Sequence, residues 1–411
     1  MEDLIDQRHE ETLDWWVISA EGQPAVRTGA LEVLRRQGHA VSLLDVGPYV
    51  AQWIGDHVFF FSRWGDSVNL WQIPISATDW KITRSAQRLT FGTGLEIQPS
   101  VAGNQIAFAS LSENIDLWGL PIDTNQGKTA GEIQRLTQDV SPDDQPSISL
   151  DGKKLAFRSL RLGNADIWLK DLETGKETSL IATPLDEDRP RISEDGTQVA
   201  YTSTADQKSS IHLVAVTGGT PEKVCEDCDF AWDLSQDGQE ILYKSSGQNS
   251  LWLLRPSAGQ KSEFLRHSEY SFWQASFSPD SLWIAFLVSG GGVRSHVRVM
   301  PLRHEQAVPE SEWIAITEGE PVDKPRWSPG GSWIYFISHR DGFRCLWAQR
   351  LEPSTKRPMG LPTDIYHFHS VRRSLLSVGL AFAEISVARD KIVFPLGELT
   401  GNIWMTSLDL K

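Results

Sequence analysis

Cysteine is nearly missing from this chain: Cys225, Cys228 and Cys345 are the three copies among 411 residues. That excludes a disulfide framework. "CEDC" (225–228) has the spacing of half a zinc site or of a redox pair. No second CxxC or HxxxH completes a metal site, and no strand-then-helix context supports a thioredoxin-like motif. The pair reads as a local disulfide or as two free thiols in a loop. Cations are also scarce, with 39 Lys and Arg against 54 Asp and Glu and a net charge of −15. A phosphate backbone or an anionic membrane surface needs clustered Lys and Arg, so nucleic acid is not an expected partner. No apolar run approaches the ~20 residues of a membrane helix. The N-terminus, "MEDLIDQRHEETLDWW", is charged and lacks the apolar core of a signal peptide. As encoded, the chain is expected to stay cytoplasmic.

Catalytic signatures are missing too. There is no Walker loop, HExxH, EF-hand or GxSxG. No catalytic residue and no cofactor is therefore assigned, and an enzyme is the less favoured class.

Tryptophan is abundant, with 17 copies against 6 tyrosines. Its positions recur. The units "VFFFSRWGDSVNLWQIPI" (58–75), "LAFRSLRLGNADIWLKDL" (155–172) and "IYFISHRDGFRCLWAQRL" (334–351) align on their second apolar run. The aligned position holds Trp71, Trp118, Trp168, His212, Trp252, Arg298, Trp347 and Trp404, spaced 40 to 57 residues apart. A period in the forties with several short strands per unit predicts a β-propeller. Each unit opens with a short run such as "QPSIS" or "KPRWS". A tight turn follows ("LDGK", "EDGT", "QDGQ", "SPDS", "SPGG"), then an I/V/L–A–F/Y strand, a polar loop, a "DIW" or "NLW" strand and often "QRLT". Asp-Gly and Pro-Asp favour turns because Gly accepts positive φ and Pro presets φ. Four strands per unit make one blade, and the tryptophans fill the wedge between blades.

The expected fold is a single all-β propeller over 1–411, of eight four-stranded blades, with seven as the alternative. Residues 1–47 hold a half-blade (about 14–29) and a short helix (about 30–38). Seven repeats occupy 48–359, an insertion 360–384 and a final repeat 385–411. The N-terminal half-blade is expected to close the ring by pairing with the last blade.

The "SxDGxxIAFxS…DIWxxDLxTGKxxxLT" unit resembles the TolB-type, WD-like propeller repeat over essentially residues 48–410. "QRLTFGTGLE", "SENIDLWGLPID", "DGFRCLWAQRL", "YHFHSVRRS" and "ELTGNIWM" are more closely similar to the C-terminal propellers of bacterial transmembrane serine/threonine kinases of acidobacterial type. The resemblance implies a sensing or protein-binding part. It does not imply kinase activity, because the Gly-rich loop, HRD and DFG are absent. Relatives of this repeat mostly work outside the cytoplasm.

Three residue sets are candidates for function. The residues before each inner strand, Glu96, Gln98, Asp143, Gln145, Asp188, Arg189, Asp323 and Lys324, would ring a channel mouth and receive a peptide or a cation, or are ordinary solvated loops. In the insertion, His367 and His369 face the same way if extended and are weak metal candidates, although no third ligand is identifiable. With Arg372 and Arg373 they also read as a segment that packs on one face or binds an acidic partner. Trp64, Trp80, Trp273 and Trp283 lie off the repeat position and read as a stacking patch or as packing between blades. The expected function is a monomeric, non-enzymatic scaffold or sensor for a protein or peptide. The alternative is a metal-assisted polysaccharide lyase or a propeller accessory to a hydrolase.

Overall fold

The computed structural model describes residues 13–39, 41, 47–65, 67–206, 208–245, 249–290, 293–304, 308–370 and 372–408. Parts of all four expected segments therefore lie outside the described residues: 1–12, 40 and 42–46 of the N-terminal segment, 66, 207, 246–248, 291–292 and 305–307 of the seven repeats, 371 of the insertion and 409–411 of the final repeat. The chain divides into two compact units, residues 1–113 with 399–411, and residues 114–398.

The second unit is a ring of antiparallel blades. Five self-contained four-stranded sheets follow one another in chain order. Blade 1 is Asp143–Ile148, Lys154–Ser159, Asp166–Asp171 and Glu177–Ile181. Blade 2 is Asp186–Ile192, Gln198–Ala205, Lys208–Ala215 and Glu222–Glu226, and blade 3 is Cys228–Leu234, Ile241–Ser245, Ser250–Arg255 and Gln260–Arg266. Blade 4 is Tyr270–Phe277, Trp283–Gly290, Val293–Pro301 and Ile314–Ala315, and blade 5 is Val322–Trp327, Trp333–Ser338, Cys345–Arg350 and Thr363–Tyr366.

The turn between the first two strands of blades 1 to 4 has one design. Ser149 donates its hydroxyl to Asp151 at 2.6 Å and accepts the Lys154 N–H at 3.0 Å. Ser193 with Asp195, Ser235 with Asp237 and Ser278 with Asp280 repeat the first bond. The residue after the Asp takes a left-handed conformation, which is why Gly152 (φ 73°) follows Asp151. In blade 4 Ser281 holds that conformation instead, at φ 53°.

The blades are glued face to face by apolar side chains. Ala156, Ile167 and Ile181 of blade 1 pack on Ile192, Val199 and Tyr201 of blade 2. Equivalent clusters join blades 2 and 3, 3 and 4, and 4 and 5. Phe157, Phe286 and Phe336, each on a second strand, are wholly buried. Truncating one such ring to alanine costs about 3–5 kcal/mol.

Eight blades, or seven, are not what the chain builds. The remaining strands form one eleven-stranded sheet and one two-stranded sheet. Two expected hairpins run straight through instead, as the 19-residue strand Gln105–Asp123 and the 17-residue strand Lys391–Ser407. Within the second unit, Ser386–Val387, the start of Lys391–Ser407, the end of Gln105–Asp123 and Gln134–Arg135 lie side by side. The Ile122 N–H donates to the Asp390 carbonyl at 3.0 Å. This stretch closes the ring: Trp118, Leu120 and Phe394 pack on Tyr335 and Leu346 of blade 5, while Leu117, Ala388 and Val393 pack on Leu155 and Phe157 of blade 1.

Among the described residues, 14–29 do not pair with the last repeat either. Their strands Trp16–Val17 and Val26–Arg27 pair with each other. They belong to the first unit, with helix α1 (Ala30–Arg36). Asp14 accepts the Gly29 and Leu31 N–H groups at 2.9 and 3.2 Å and so caps the helix. Leu31 and Leu34 then pack on Val58, Phe60, Trp71 and Ile73. Trp404, on the second half of its long strand, is 58% exposed, whereas Trp71 and Trp118 are buried. No helix among the described residues is long and apolar enough to cross a membrane.

Candidate functional site

Each inner strand is broken near its start by a bulge. Gln145, Arg189, Gln274 and Lys324 sit there in the left-handed conformation, with φ of 48°, 53°, 53° and 57°. A bulge re-aims a side chain. Gln145 turns to the next blade, where its Oε1 accepts the Arg189 N–H at 2.6 Å; Gln274 does the same for Lys324 at 2.6 Å. The expected mouth residues of this unit are therefore largely internal. Asp143, Gln145, Arg189 and Lys324 are buried. Asp143 accepts from Arg161 at 2.6 Å, and Asp323 accepts the Lys324 N–H at 2.8 Å. The Arg189 guanidinium, 4.0 Å from Asp188, lies over the Phe230 ring at 4.1 Å. Glu96 and Gln98 belong to the first unit, where Glu96 is buried against Asn69 at 2.6 Å and Gln98 is exposed.

The axis of the ring is occupied. The last residues of the insertion turn inward, and the Phe382 carbonyl accepts the Gln145 N–H. Arg158 lies 4.3 Å over the Phe382 ring. Two residues on, Glu384 is wholly buried. Its carboxylate accepts from Lys324 at 3.0 Å, Arg326 at 2.6 Å and Arg191 at 3.2 Å. Burial alone would raise the Glu384 carboxyl, but Lys324, Arg191, Arg326 and Arg189 hold it well below its usual range. Burial lowers the Arg191 guanidinium to about 10.

Beside this cluster, toward the Ser–Asp turns, lies a cavity of about 100 Å³ lined by Arg191, Glu194, Asp233, Arg326 and Trp327 among others. Burial, reinforced by Asp233, pushes the Glu194 carboxyl up to about 7. The space suits a few waters at ~30 Å³ each. It is well short of the ~300–1,000 Å³ of a small-molecule pocket.

The antiparallel strand order puts two loops of every blade on the opposite face: the one between second and third strands, and the one leading to the next inner strand. Six exposed apolar side chains of this unit lie on those loops, Val140, Leu162, Leu185, Phe343, Leu376 and Leu380, against three on the turn face, Leu282, Met359 and Leu361. His367 and His369 lie on the same face. His367 Nδ1 is 2.7 Å and His369 Nε2 2.9 Å from Asp341 Oδ2. Arg373 pairs with Glu398 at 3.2 Å and lies 4.9 Å over Trp118, while Arg372 is exposed.

The repeat tryptophans Trp118, Trp168 and Trp347 are each covered by an arginine, Arg135 at 5.0 Å, Arg161 at 4.8 Å and Arg340 at 4.8 Å. Trp252 lies 6.2 Å from the Tyr243 ring. Of the off-repeat tryptophans, Trp64 is 42% exposed, Trp80 meets Trp53 edge-on at 5.3 Å, Trp273 lies under Lys244 at 3.4 Å, and Trp283 packs between blades 4 and 5.

No family model matches the chain. It is 33% identical over 89 residues to tricorn protease homolog 1 of Streptomyces coelicolor, a match covering 21% of this chain and 8% of that protein. It is 27% identical over 202 residues to an uncharacterised Agrobacterium fabrum protein, covering 46% of this chain and 64% of that protein. The chain thus spans less than two thirds of the length of either curated relative. Among solved structures it is similar to a putative TolB from Agrobacterium tumefaciens, with a TM-score of 0.54 and 18% identity over 70% of this chain and 99% of that one. The fold is a β-propeller similar to that of this putative TolB.

In this propeller the axis residues that sequence reasoning missed are Arg191, Arg326, Phe382 and Glu384, whereas Arg189 and Lys324 were among the expected mouth residues. A signal for them existed. Arg189-Pro190-Arg191 and Lys324-Pro325-Arg326 repeat a cation–Pro–Arg pattern at equivalent places in blades 2 and 5. Glu384 has no counterpart in the repeat and left no such signal. Asp341 and Cys345, beside His367 and His369, were read only as parts of a repeat unit.

Proposed function

We propose that this propeller is a non-enzymatic scaffold that binds a protein or peptide through the loop face of its ring. One observation carries the reading: Val140, Leu162, Leu185, Phe343, Leu376 and Leu380 are exposed apolar side chains on loops of that one face. Exposed apolar side chains gathered on one face mark protein contact surfaces. The filled axis supports it: Glu384 and Phe382 occupy the axis of the ring, and the cavity beside them, of about 100 Å³, is small for a substrate. A sensory role rests on the resemblance to kinase-borne propellers alone.

The test compares three forms of the purified chain as bait in an extract of the native host: wild type, Leu162→Asp/Leu185→Asp on the loop face, and Leu282→Asp on the turn face. A protein held by the wild type and by Leu282→Asp but lost by the double variant is the expected result. A partner held equally by all three, or no specific partner, would sink the reading.

A further inference from the structure

We propose that Asp341, Cys345, His367 and His369 form a four-ligand zinc site on the loop face of the ring. One donor atom from each lies within 4.8 Å of the other three. A tetrahedral zinc with bonds of ~2.0–2.3 Å sets its donors ~3.4 Å apart. Small torsional changes bring the wider pairs in and open the 2.7 and 2.9 Å approaches of the two imidazoles to Asp341.

The donors come from two separate stretches of chain. Asp341 and Cys345 lie in the loop between the second and third strands of blade 5 and at the start of that third strand. His367 and His369 follow the fourth strand, within the insertion 360–384. The local structure fixes their aim. Cys345 Sγ accepts the N–H of Phe368, the residue between the two histidines, at 3.4 Å, which keeps the buried sulfur beside them. Trp347 stands perpendicular to the His367 ring at 5.8 Å, and Phe343 lies 4.3 Å from the His369 ring. Asp364 Oδ2 is 3.3 Å from His367 Nε2. A carboxylate on the far nitrogen orients a metal-binding imidazole, and here it leaves Nδ1 for the metal.

Two imidazoles, a thiolate and a carboxylate are a borderline-soft set that suits zinc over calcium or magnesium. Four protein donors leave no coordination position for a substrate, so the site is structural. It staples the segment that follows the fourth strand to the loop between the second and third strands of blade 5.

The full chain is prepared metal-free and titrated with Zn²⁺ and, separately, with Co²⁺ as a spectroscopic stand-in. The expected result is one ion per chain, a thiolate-to-cobalt charge-transfer band, and a raised melting temperature with Zn²⁺. His369→Ala, at an exposed position, should abolish one-to-one binding. Cys345→Ser should remove the charge-transfer band. Asp364→Asn should weaken Zn²⁺ binding by about 10–100-fold. Should Cys345→Ser fail to fold, the wild-type cobalt spectrum and His369→Ala still decide the matter. Absence of one-to-one binding, binding indifferent to His369→Ala, or cobalt binding without a thiolate band overturns the four-ligand site.

Discussion

Glu384 and Arg191 are joined at 3.2 Å across 193 residues of chain. Arg191 belongs to blade 2. The other two cations on this carboxylate, Lys324 and Arg326, belong to blade 5, on the far side of the ring. One buried anion thus ties opposite blades together.

Glu384→Gln leaves those three cations, two of them buried, without their common anion. Removing one member of a buried ionic cluster costs about 3–5 kcal/mol. Urea unfolding of the variant against wild type measures the loss. A cost below about 1 kcal/mol would mean that neighbouring carbonyls already satisfy the cations.

The axis also makes a pH prediction with two opposing parts. Glu384 is held low in the folded chain, so its contribution is complete above the ordinary carboxylate range and is lost as pH falls through its lowered folded value. Glu194 is raised to about 7 from 4.5. Between those values the folded state holds its proton more tightly, so stability declines as pH rises through that window. Melting temperatures from pH 4.5 to 8 should fall, and Glu194→Gln should flatten the decline by an amount on the order of 1 kcal/mol.

Cys225 and Cys228 form a disulfide, three residues apart. So short a loop removes little freedom from the unfolded chain, and the chain-entropy relation gives about 2 kcal/mol. Reductant should lower the unfolding midpoint modestly. The double variant Cys225→Ser/Cys228→Ser should show no response to reductant.

Gln145 combines a left-handed backbone with a side chain that satisfies the Arg189 N–H. Gln145→Ala orphans that N–H at about 1–3 kcal/mol. Gln145→Gly loses the same bond but accepts the backbone conformation, so it should be the milder variant by about 1 kcal/mol. Equal losses in denaturant titrations would show that the conformation carries no strain.

Blade identity was legible because it is written locally: Ser149, Asp151 and Gly152 specify a turn wherever they recur, and apolar runs specify the flanking strands. The blade count was not. "LSEN" (111–114) and "GELTGN" (397–402) read as loops, yet both lie inside continuous strands. Gly401 is there for closeness, since a Cβ would collide with the Ser110 carbonyl. Gly397 pairs with Ser374 in the sheet. Glycine signals a turn and a tight strand contact alike. Glu384 was hidden for another reason: it meets partners 58 to 193 residues away, and nothing in its own segment records them.

The two uninterrupted strands give the polypeptide the topology of a parenthesis. The ring needs only residues 114–398, whereas the first unit draws on both 1–113 and 399–411. During synthesis every strand of the ring leaves the ribosome before the first unit has its final one. Residues 105–111 pair with Leu95–Ala102 on one side and gain their other neighbour from residues 399–407, so loss of that stretch removes a strand from the first unit while leaving the ring's sequence whole.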